Sequence, residues 1–171
     1  MVLRTSKRSE IKLTMWLSKE TFKEIVASTP LISIDLIVKN QQKRVLLGRR
    51  NNRPAKGFWF VPGGRIRKNE TLDSAFLRLT KEEFGVIFQR EDAKFLGIYQ
   101  HFYQDSVFGE GQDNPSTHYI VLAYELKGVR GDEIQVNDQH LAYDWWETNE
   151  ILSDESVHHY TKDYFRNYIQ E

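Results

Sequence analysis

The sequence predicts an α+β fold in which a mixed β-sheet packs against a few helices. Short segments rich in β-branched and aromatic residues recur along the chain and indicate strands. Fewer segments carry apolar residues at helical spacing. The 171 residues contain no repeat, low-complexity tract or long linker, and 40% of them are hydrophobic, which is typical of one domain with its own core. We therefore predict a single domain over residues 15–171, preceded by a flexible tail over residues 1–14.

The first element is predicted to be a helix from Ser18 to Ser28. Ser18 is a residue type that caps helices, because its side-chain oxygen accepts a hydrogen bond from a backbone N–H of the first turn. Apolar residues then follow at helical spacing: Phe22, Ile25 and Val26. Pro30 cannot continue a helix and therefore ends this one.

Six segments with strand-forming composition are predicted to build the sheet: Leu31–Lys39, Arg44–Arg49, Phe58–Val61, Lys94–Tyr103, His118–Leu126 and Ala142–Glu147. In the first of them, alternation places Asp35 on the same face as Ser33 and Ile37, opposite a row of aliphatic residues. A carboxylate within so apolar a strand needs a partner. Asp35 is therefore either part of a structural salt bridge or part of a functional site. His101, in the segment YQHFY, has the same two readings, as a half-buried strand histidine or as a ligand contact.

A second helix is predicted from Leu72 to Phe84. Its apolar residues recur at positions i, i+3, i+4 and i+7: Leu72, Ala75, Phe76 and Leu79. Thr71 or Asn69 is suited to cap its start, and Gly85 is suited to the left-handed conformation just after its end. A third helix is predicted from Lys162 to Ile169.

The charged residues of the second helix, Arg78, Glu82 and Glu83, lie off the apolar stripe. One interpretation is an ordinary solvated face, since i, i+4 ion pairs such as Arg78 with Glu82 are common. A second interpretation follows from Gly63 and Gly64, which end a predicted strand directly before this segment. A strand that ends in glycines and leads to a helix with carboxylates is suited to bind a metal ion and a diphosphate.

The segment GRIRKNETLDSAFLRLTKEEFGV, from Gly64 to Val86, resembles the Nudix box of Mg²⁺-dependent hydrolases that act on nucleoside diphosphates linked to another moiety. The glycine, Glu70, Arg78, the glutamate pair and Gly85 occur at the spacing of that box. The family pattern has a metal-binding glutamate directly after the arginine, and Leu79 stands at that position here. The resemblance implies a Nudix fold, an α/β/α sandwich with a mixed β-sheet.

Within that family the chain is similar to the GDP-mannose mannosyl hydrolases from Met15 to about Phe165. The similar segments are STPLISIDLIV from Ser28, LLGRRNNRPAKGFWFVPGGR from Leu46, the RLT of the altered box, YQHFY, THYIVLAY from Thr117 and DQH ending at His140. The missing glutamate is expected in that subfamily. These enzymes cleave the bond between the anomeric carbon and oxygen and release GDP and the sugar, whereas ordinary Nudix enzymes attack phosphorus.

The resemblance implies roles for ten residues. Mg²⁺ is expected to be bound by the Gly63 carbonyl, Glu83 and Gln139, which supply the oxygen ligands that this ion prefers. His140 is implied as the general base. Arg50, Arg65 and Arg78 are implied as contacts to the diphosphate, together with the phenol of Tyr119, and Asp35 and His101 are implied as sugar contacts.

Two alternatives remain open from the sequence. Glu82 is still present, so the chain is compatible with a conventional Nudix pyrophosphohydrolase that attacks phosphorus and yields a nucleoside monophosphate and a sugar 1-phosphate. A nucleotide-sugar sensor without activity is the other alternative, although the retention of Glu83 and His140 argues against it.

The amino-acid composition limits the kinds of binding partner and metal ligand that the sequence favours. Lys and Arg together number 24, as do Asp and Glu, so the net charge is zero and no overall field attracts nucleic acid. The absence of Cys excludes disulfides and thiolate metal ligands. No stretch approaches the about twenty apolar residues that a membrane span needs, and the N-terminus lacks the apolar core of a signal peptide. We expect a cytoplasmic enzyme, and the family resemblance implies a homodimer.

Overall fold

The computed structural model describes residues 17–131, residue 134 and residues 140–166, with the backbone alone at His140 and Leu141. Within these residues the chain is a mixed α+β structure, as predicted. Its elements in chain order are α1 (Lys19–Ser28), β1 (Leu31–Asn40), β2 (Val45–Arg50), β3 (Trp59–Phe60), β4 (Gly63–Arg65), α2 (Leu72–Phe84), a 3₁₀ turn (Arg90–Asp92), β5 (Lys94–Tyr103), β6 (Thr117–Val129), β7 (His140–Trp146), α3 (Thr148–Ser153) and α4 (His159–Arg166). The predicted tail, residues 1–14, lies outside the described residues.

The strands form one mixed sheet with the order β3-β2-β1-β6-β5, while β4 pairs with β1 and β7 pairs with β2. Strands β1 and β6 are parallel, and the other pairs are antiparallel. In this register Asp35 of β1 lies between Ala123 of β6 and Gly63 of β4. The centre of β1 is therefore flanked by the glycine segment that precedes α2.

Two apolar cores lie on opposite faces of the sheet. On one face, Ile37 of β1 packs with Ile151 of α3 and with Tyr164 and Phe165 of α4. On the other face, Ile34, Leu36 and Val38 of β1 pack in the cluster that contains four residues of α2: Ala75, Phe76, Leu79 and Phe84. The alternation predicted for β1 thus separates two layers of helices, and the α/β/α sandwich is confirmed.

The helix boundaries follow from side-chain caps. The Ser18 hydroxyl accepts a hydrogen bond from the backbone N–H of Thr21 at 3.1 Å and begins α1. The Thr71 hydroxyl accepts one from the N–H of Ser74 at 3.1 Å, and Gly85 ends α2 with a φ of 70°. Helix α2 and strand β5 have the bounds that the sequence predicts.

Strand β4 differs from the prediction, in which Gly63 and Gly64 end the preceding strand. Gly63 pairs antiparallel with Asp35, and a Cβ added at Gly63 would lie only 2.3 Å from the carbonyl oxygen of Ile34. Only glycine permits this close approach of two backbones. The glycine segment is therefore a strand in its own right.

Two helical segments also differ from the prediction. Helix α3 was not predicted, although its start has a reciprocal capping box in which the N–H of Glu147 donates to the Glu150 carboxylate at 2.9 Å. Helix α4 begins at His159, three residues before the predicted Lys162. In the described part of the chain, no helix has both the length and the apolar character needed to cross a membrane.

Candidate active site

A cavity opens on the α3 and α4 side of the sheet, where β1, β4, β5 and β6 meet the segment that follows β2. The sequence-predicted site residues that line it are Asp35, Arg50, Gly63, Arg65, His101 and Tyr119. They come from five different strands and are separated by up to 84 positions in the sequence (119 − 35). The structure therefore brings most of the predicted substrate-binding residues together.

Asp35 is the buried carboxylate of the cavity, with only 8% of its surface exposed. The hydroxyl of Tyr164, on α4, donates a hydrogen bond to Asp35 Oδ2 at 2.6 Å. Burial raises the pKa of Asp35 to about 6, while the Tyr164 hydrogen bond and the charge of Arg50 act in the opposite direction. Asp35 thus has the partner that its apolar strand requires, and it is largely ionised at neutral pH.

His101 lies beside Asp35 and is also buried. Its Nε2 is 3.3 Å from the Tyr164 hydroxyl, and its Nδ1 is 3.4 Å from the Tyr103 hydroxyl. The pKa of His101 is lowered to about 3, mainly by burial and to a smaller extent by the nearby side chains of His158, His159 and Arg50. The imidazole is therefore neutral at physiological pH and serves as a hydrogen-bonding group.

Two arginines provide the positive charge of the cavity. The guanidinium carbon of Arg50 lies 5.4 Å from the centre of the Phe60 ring, and that of Arg65 lies 4.2 Å from the centre of the Phe22 ring. Neither guanidinium forms an ion pair with a carboxylate of the described residues. Stacking on a ring face leaves the in-plane N–H donors available, which is the geometry that binds phosphate oxygens.

Tyr119 adds a neutral donor to the cavity. Burial raises the pKa of its phenol, although Arg65 and Arg50 oppose this effect. The hydroxyl therefore keeps its proton at neutral pH and is able to donate a hydrogen bond. Together with the two arginines it forms a surface suited to an anionic oxygen.

The NUDIX domain family matches residues 29–168, which is most of the chain. The chain is also 42% identical over 129 residues to the low-salt glycan biosynthesis protein Agl8 of Haloferax volcanii, across 75% of this chain and 78% of that protein. The chain belongs to the Nudix family. It is therefore a Nudix hydrolase, an enzyme that acts on nucleotide-linked substrates.

Other Nudix proteins are similar at greater distance. The ADP-ribose pyrophosphatase of Methanocaldococcus jannaschii is 30% identical over 122 residues, which cover 71% of this chain and 64% of that enzyme. The crystal structure of the MutT protein from Methanosarcina mazei Go1 superposes with a TM-score of 0.65 at 22% identity, over 84% of this chain and 96% of that chain. This structural likeness confirms the Nudix fold.

The two glutamates of the Nudix box have different environments. Glu83 is 2% exposed and accepts a hydrogen bond from the Tyr143 hydroxyl, whose pKa is raised mainly by burial and then by the charge of Glu83. Glu82 is more exposed and forms ion pairs with Arg78 and Arg67 at 2.8 and 3.2 Å. Of the two, Glu83 is the carboxylate held inside the protein.

Leu79 takes the position where the Nudix pattern has a further glutamate. It is 3% exposed in the core beneath α2, and a Cβ added at Gly64 would lie 2.7 Å from its Cδ2 atom. Helix α2 therefore packs directly against strand β4 through an apolar contact. Among the described residues, no group of three or more His, Cys, Asp or Glu side chains is arranged to hold a metal ion.

Arg78 does not line the cavity. Its guanidinium donates to both carboxylate oxygens of Glu70 at 2.6 and 2.8 Å, to Glu82 at 2.8 Å and to the backbone carbonyl of Arg65 at 2.9 Å. These bonds join the Nudix helix to the end of β4 and support the backbone of Arg65. The direct substrate contact implied by the family resemblance stays a prediction for Arg78.

The last two predicted residues lie at the limit of the described chain. Gln139 is outside the described residues. The backbone of His140 begins β7 and pairs with Arg50, a residue of the cavity. The roles of Gln139 as metal ligand and of His140 as general base stay predictions.

Tyr164 is the residue of this site that sequence reasoning missed. It lies 129 positions from Asp35, and in the sequence no motif distinguishes it from the other aromatic residues of a predicted helix. The only available signal was indirect, since an apolar strand with a carboxylate requires a buried partner somewhere in the fold.

Replacement of Asp35 by Asn is expected to stabilise the folded protein at pH 7. Because the folded-state pKa of about 6 lies above the ordinary value of 3.8, the free energy of unfolding of the wild type decreases as pH rises from about 4 to about 6. The gap of about two pH units corresponds to a gain of up to about 3 kcal/mol for the variant at pH 7, and to none below pH 4. Urea unfolding of both proteins at pH 4 and pH 7 measures this difference. An equal difference at both pH values would contradict a buried, charged Asp35.

Proposed function

We propose that this Nudix enzyme hydrolyses GDP-mannose to GDP and mannose by attack of water on the anomeric carbon, with inversion. GDP-glucose is a second substrate compatible with the same site. The observation that carries the proposal is the cavity itself, in which two arginines without carboxylate partners among the described residues lie beside a buried carboxylate and a neutral histidine. Such a pocket provides cations for a diphosphate and hydrogen-bonding groups for sugar hydroxyls.

The diphosphate end of this proposed site consists of Arg50, Arg65 and Tyr119. Charge develops on the diphosphate oxygen as the sugar departs, and fixed donors aimed at that charge stabilise the transition state. Arginine is suited to this task, because its planar fork of donors matches phosphate oxygens and stays protonated. Arg50 is the last residue of β2 and Arg65 is the last residue of β4, so both guanidinium groups of the cavity come from strand ends.

The sugar end consists of Asp35 and His101. Asp35 Oδ2 is occupied by the Tyr164 hydroxyl, and its other oxygen, Oδ1, lies on the side of Gly63 and the cavity. A carboxylate oxygen and an imidazole in a pocket distinguish sugars by the directions of their hydroxyl groups. The proposed sugar contacts are therefore hydrogen bonds to a neutral hexose.

The residues at the start of β4 and on α2 are suited to the divalent metal that Nudix enzymes use. Glu83 provides a buried carboxylate, Gly63 provides a carbonyl where no side chain is tolerated, and Gln139 would complete the set with an amide oxygen. These are hard oxygen donors of the kind that Mg²⁺ prefers. When bound, Mg²⁺ would neutralise diphosphate charge and make GDP a better leaving group.

His140 is proposed to take the proton from the attacking water. A base of near-neutral pKa is suited to this role at physiological pH. Its backbone pairs with that of Arg50, a residue that lines the cavity, and this pairing supports the proposed role. Water attack from the face opposite to GDP would invert the anomeric configuration, as in inverting glycosidases.

Attack at phosphorus is the alternative that a specific observation favours. The ADP-ribose pyrophosphatase of M. jannaschii is 30% identical to this chain, and Glu82 of the Nudix box is present. Against it, Leu79 is buried in an apolar core at the position of a family metal ligand. Because fewer carboxylates are then available beside the phosphates, the site is less suited to activate a water molecule for attack on phosphorus.

A homodimer is part of the proposal. Three exposed apolar side chains share one face of the sheet, one on β1 and two on the edge strand β5, with exposed fractions of 51, 66 and 55%: Ile32, Ile98 and Phe102. A second copy of the chain would remove this surface from water, which favours association.

Hydrolysis of GDP-mannose in ¹⁸O-labelled water with Mg²⁺ tests the proposed reaction. The expected products are unlabelled GDP and mannose that carries the label on its anomeric oxygen, first formed as the anomer opposite to that of the substrate. GMP and mannose 1-phosphate, with the label on phosphorus, would replace the proposal by conventional Nudix chemistry. Binding of GDP-mannose without turnover, seen as a ligand-induced rise in Tm, would favour the sensor.

A further inference from the structure

We propose that Tyr164 is a positioning residue that fixes Asp35 and His101 toward the sugar and so governs recognition of the sugar, while leaving the binding of the nucleoside diphosphate unaffected. This inference rests on the proposed function and deepens it. Tyr164 lies on α4, is only 2% exposed and does not line the cavity. Any effect of its hydroxyl on a substrate must therefore pass through the residues that it contacts.

A single hydroxyl reaches two residues of the cavity that come from different strands. The Tyr164 oxygen is 2.6 Å from Asp35 Oδ2 on β1 and 3.3 Å from His101 Nε2 on β5. These strands are not neighbours, because β6 lies between them. The hydroxyl thus joins two side chains across the sheet and sets their relative position.

The number of protons on these groups determines which atom donates and which accepts in each hydrogen bond of Tyr164. A phenol has one proton, and the short bond to a carboxylate, which only accepts, uses it. The oxygen of Tyr164 is then left to accept from His101, so Nε2 must carry the imidazole proton. Because His101 is neutral, its Nδ1 has a lone pair and accepts from the Tyr103 hydroxyl at 3.4 Å. The hydrogen bonds run in one direction, from Tyr103 through His101 and Tyr164 to Asp35.

The helix that carries Tyr164 is fixed to the sheet one turn earlier. The Tyr160 hydroxyl donates to the carbonyl of Phe102 at 2.9 Å and accepts from its N–H at 2.6 Å. The Tyr160 ring stacks on His101 with centroids 4.1 Å apart and planes inclined by 10°. Residues at i and i+4 share a helix face, so the same face of α4 holds the His101 ring and directs the Tyr164 hydroxyl.

The conservative variant Tyr164→Phe removes this hydroxyl and keeps the buried ring. Without the donor, Asp35 loses the bond that fixes its carboxylate, and His101 loses its acceptor. We expect kcat/KM for GDP-mannose to fall about tenfold or more, the size typical of one lost hydrogen bond to a charged group. The Kd for GDP should stay within about a factor of two, because the described hydrogen bonds and ring contacts of Tyr164 are with Asp35, His101 and Tyr99, whereas Arg50 and Arg65 lie against Phe60 and Phe22.

The matched control is Tyr99→Phe. Tyr99 packs edge-on against the Tyr164 ring with centroids 4.7 Å apart and does not line the cavity. Its variant also removes a phenol hydroxyl from the same aromatic group, and we expect both constants to stay near those of the wild type. Equal losses in both variants, or equal weakening of GDP and GDP-mannose in Tyr164→Phe, would show a merely structural role and overturn the proposal.

A measurement without substrate tests the same arrangement. Long-range ¹H–¹⁵N spectra of the histidine side chains report which ring nitrogen is protonated, and we expect the Nε2–H form for His101 in the wild type and a loss of this preference in Tyr164→Phe. The Nδ1–H form in the wild type would overturn the proposal. If the wild type binds GDP but does not hydrolyse GDP-mannose, the proposed function fails, and the spectra still decide the role of Tyr164.

Discussion

Replacement of His140 by Asn is expected to lower kcat for GDP-mannose hydrolysis about 10²- to 10⁴-fold while the fold stays intact. This is the usual contribution of a general base that removes a proton from water in the transition state. The loss should appear in kcat more than in KM, because the base acts on the attacking water and not on the bound nucleotide. Steady-state kinetics with wild type and variant at saturating Mg²⁺ measure the effect.

The pH dependence separates a base from a residue that only shapes the site. A base with a pKa near neutrality produces a decrease of the wild-type rate at acid pH, and this decrease should disappear in His140→Asn. His159→Asn serves as the matched control, because His159 is exposed on the first turn of α4 and does not line the cavity. A fully active His140→Asn variant would remove His140 from the mechanism.

Sequence reasoning succeeds where a local signal agrees with the fold. Helix α2 was predicted at its observed bounds because Thr71 caps it, Gly85 ends it and its apolar residues recur at helical spacing. Strand β4 was not predicted, because its glycines carry no strand preference. Its conformation depends on the neighbouring Ile34 carbonyl, which is 29 positions away from Gly63 and close only in the fold.

In the candidate site, too, some features could be predicted from the sequence and others depend on the tertiary fold. From the sequence, Asp35 had a structural reading beside the functional one, and the diphosphate contacts of Arg65 and Tyr119 were implied by the family resemblance alone. Their grouping was available from the family resemblance, and the sheet order then brought them to one cavity. The contact of Tyr164 with Asp35 spans 129 positions and involves an aromatic residue with no local motif. Such a contact is determined by tertiary packing alone.

Replacement of Leu79 by Glu is expected to destabilise the protein by several kcal/mol and to lower Tm by about 10 °C or more. The substitution restores the glutamate of the Nudix pattern, but Leu79 is 3% exposed and packs with Phe76 and the other apolar residues beneath α2. A charge in these surroundings loses its hydration, and the apolar side chains described around Leu79 offer it no partner of opposite sign. Thermal unfolding in metal-free buffer at pH 7 measures the loss.

Two matched variants separate the causes of this loss. Leu79→Met conserves volume and apolar character, so we expect a cost below about 1.5 kcal/mol. Leu79→Gln has the shape of the Glu variant without its charge and measures the cost of polarity alone. The Glu variant should recover toward the Gln variant as pH falls, because a protonated carboxyl no longer carries charge. If the Glu variant is as stable as the wild type at pH 7, the position is hydrated and the packing argument is wrong.

The contact between Leu79 and Gly64 explains why a restored glutamate should not restore conventional Nudix chemistry. A Cβ at Gly64 would lie 2.7 Å from Leu79 Cδ2, so this leucine fills the space directly against strand β4. A glutamate in that space has two possible outcomes. It displaces the strand that positions Gly63 and Arg65, or it remains buried without a cation. Neither outcome assembles a second metal site. We therefore expect the residual activity of Leu79→Glu to yield GDP, and appearance of GMP would show that this one carboxylate decides which bond is cleaved.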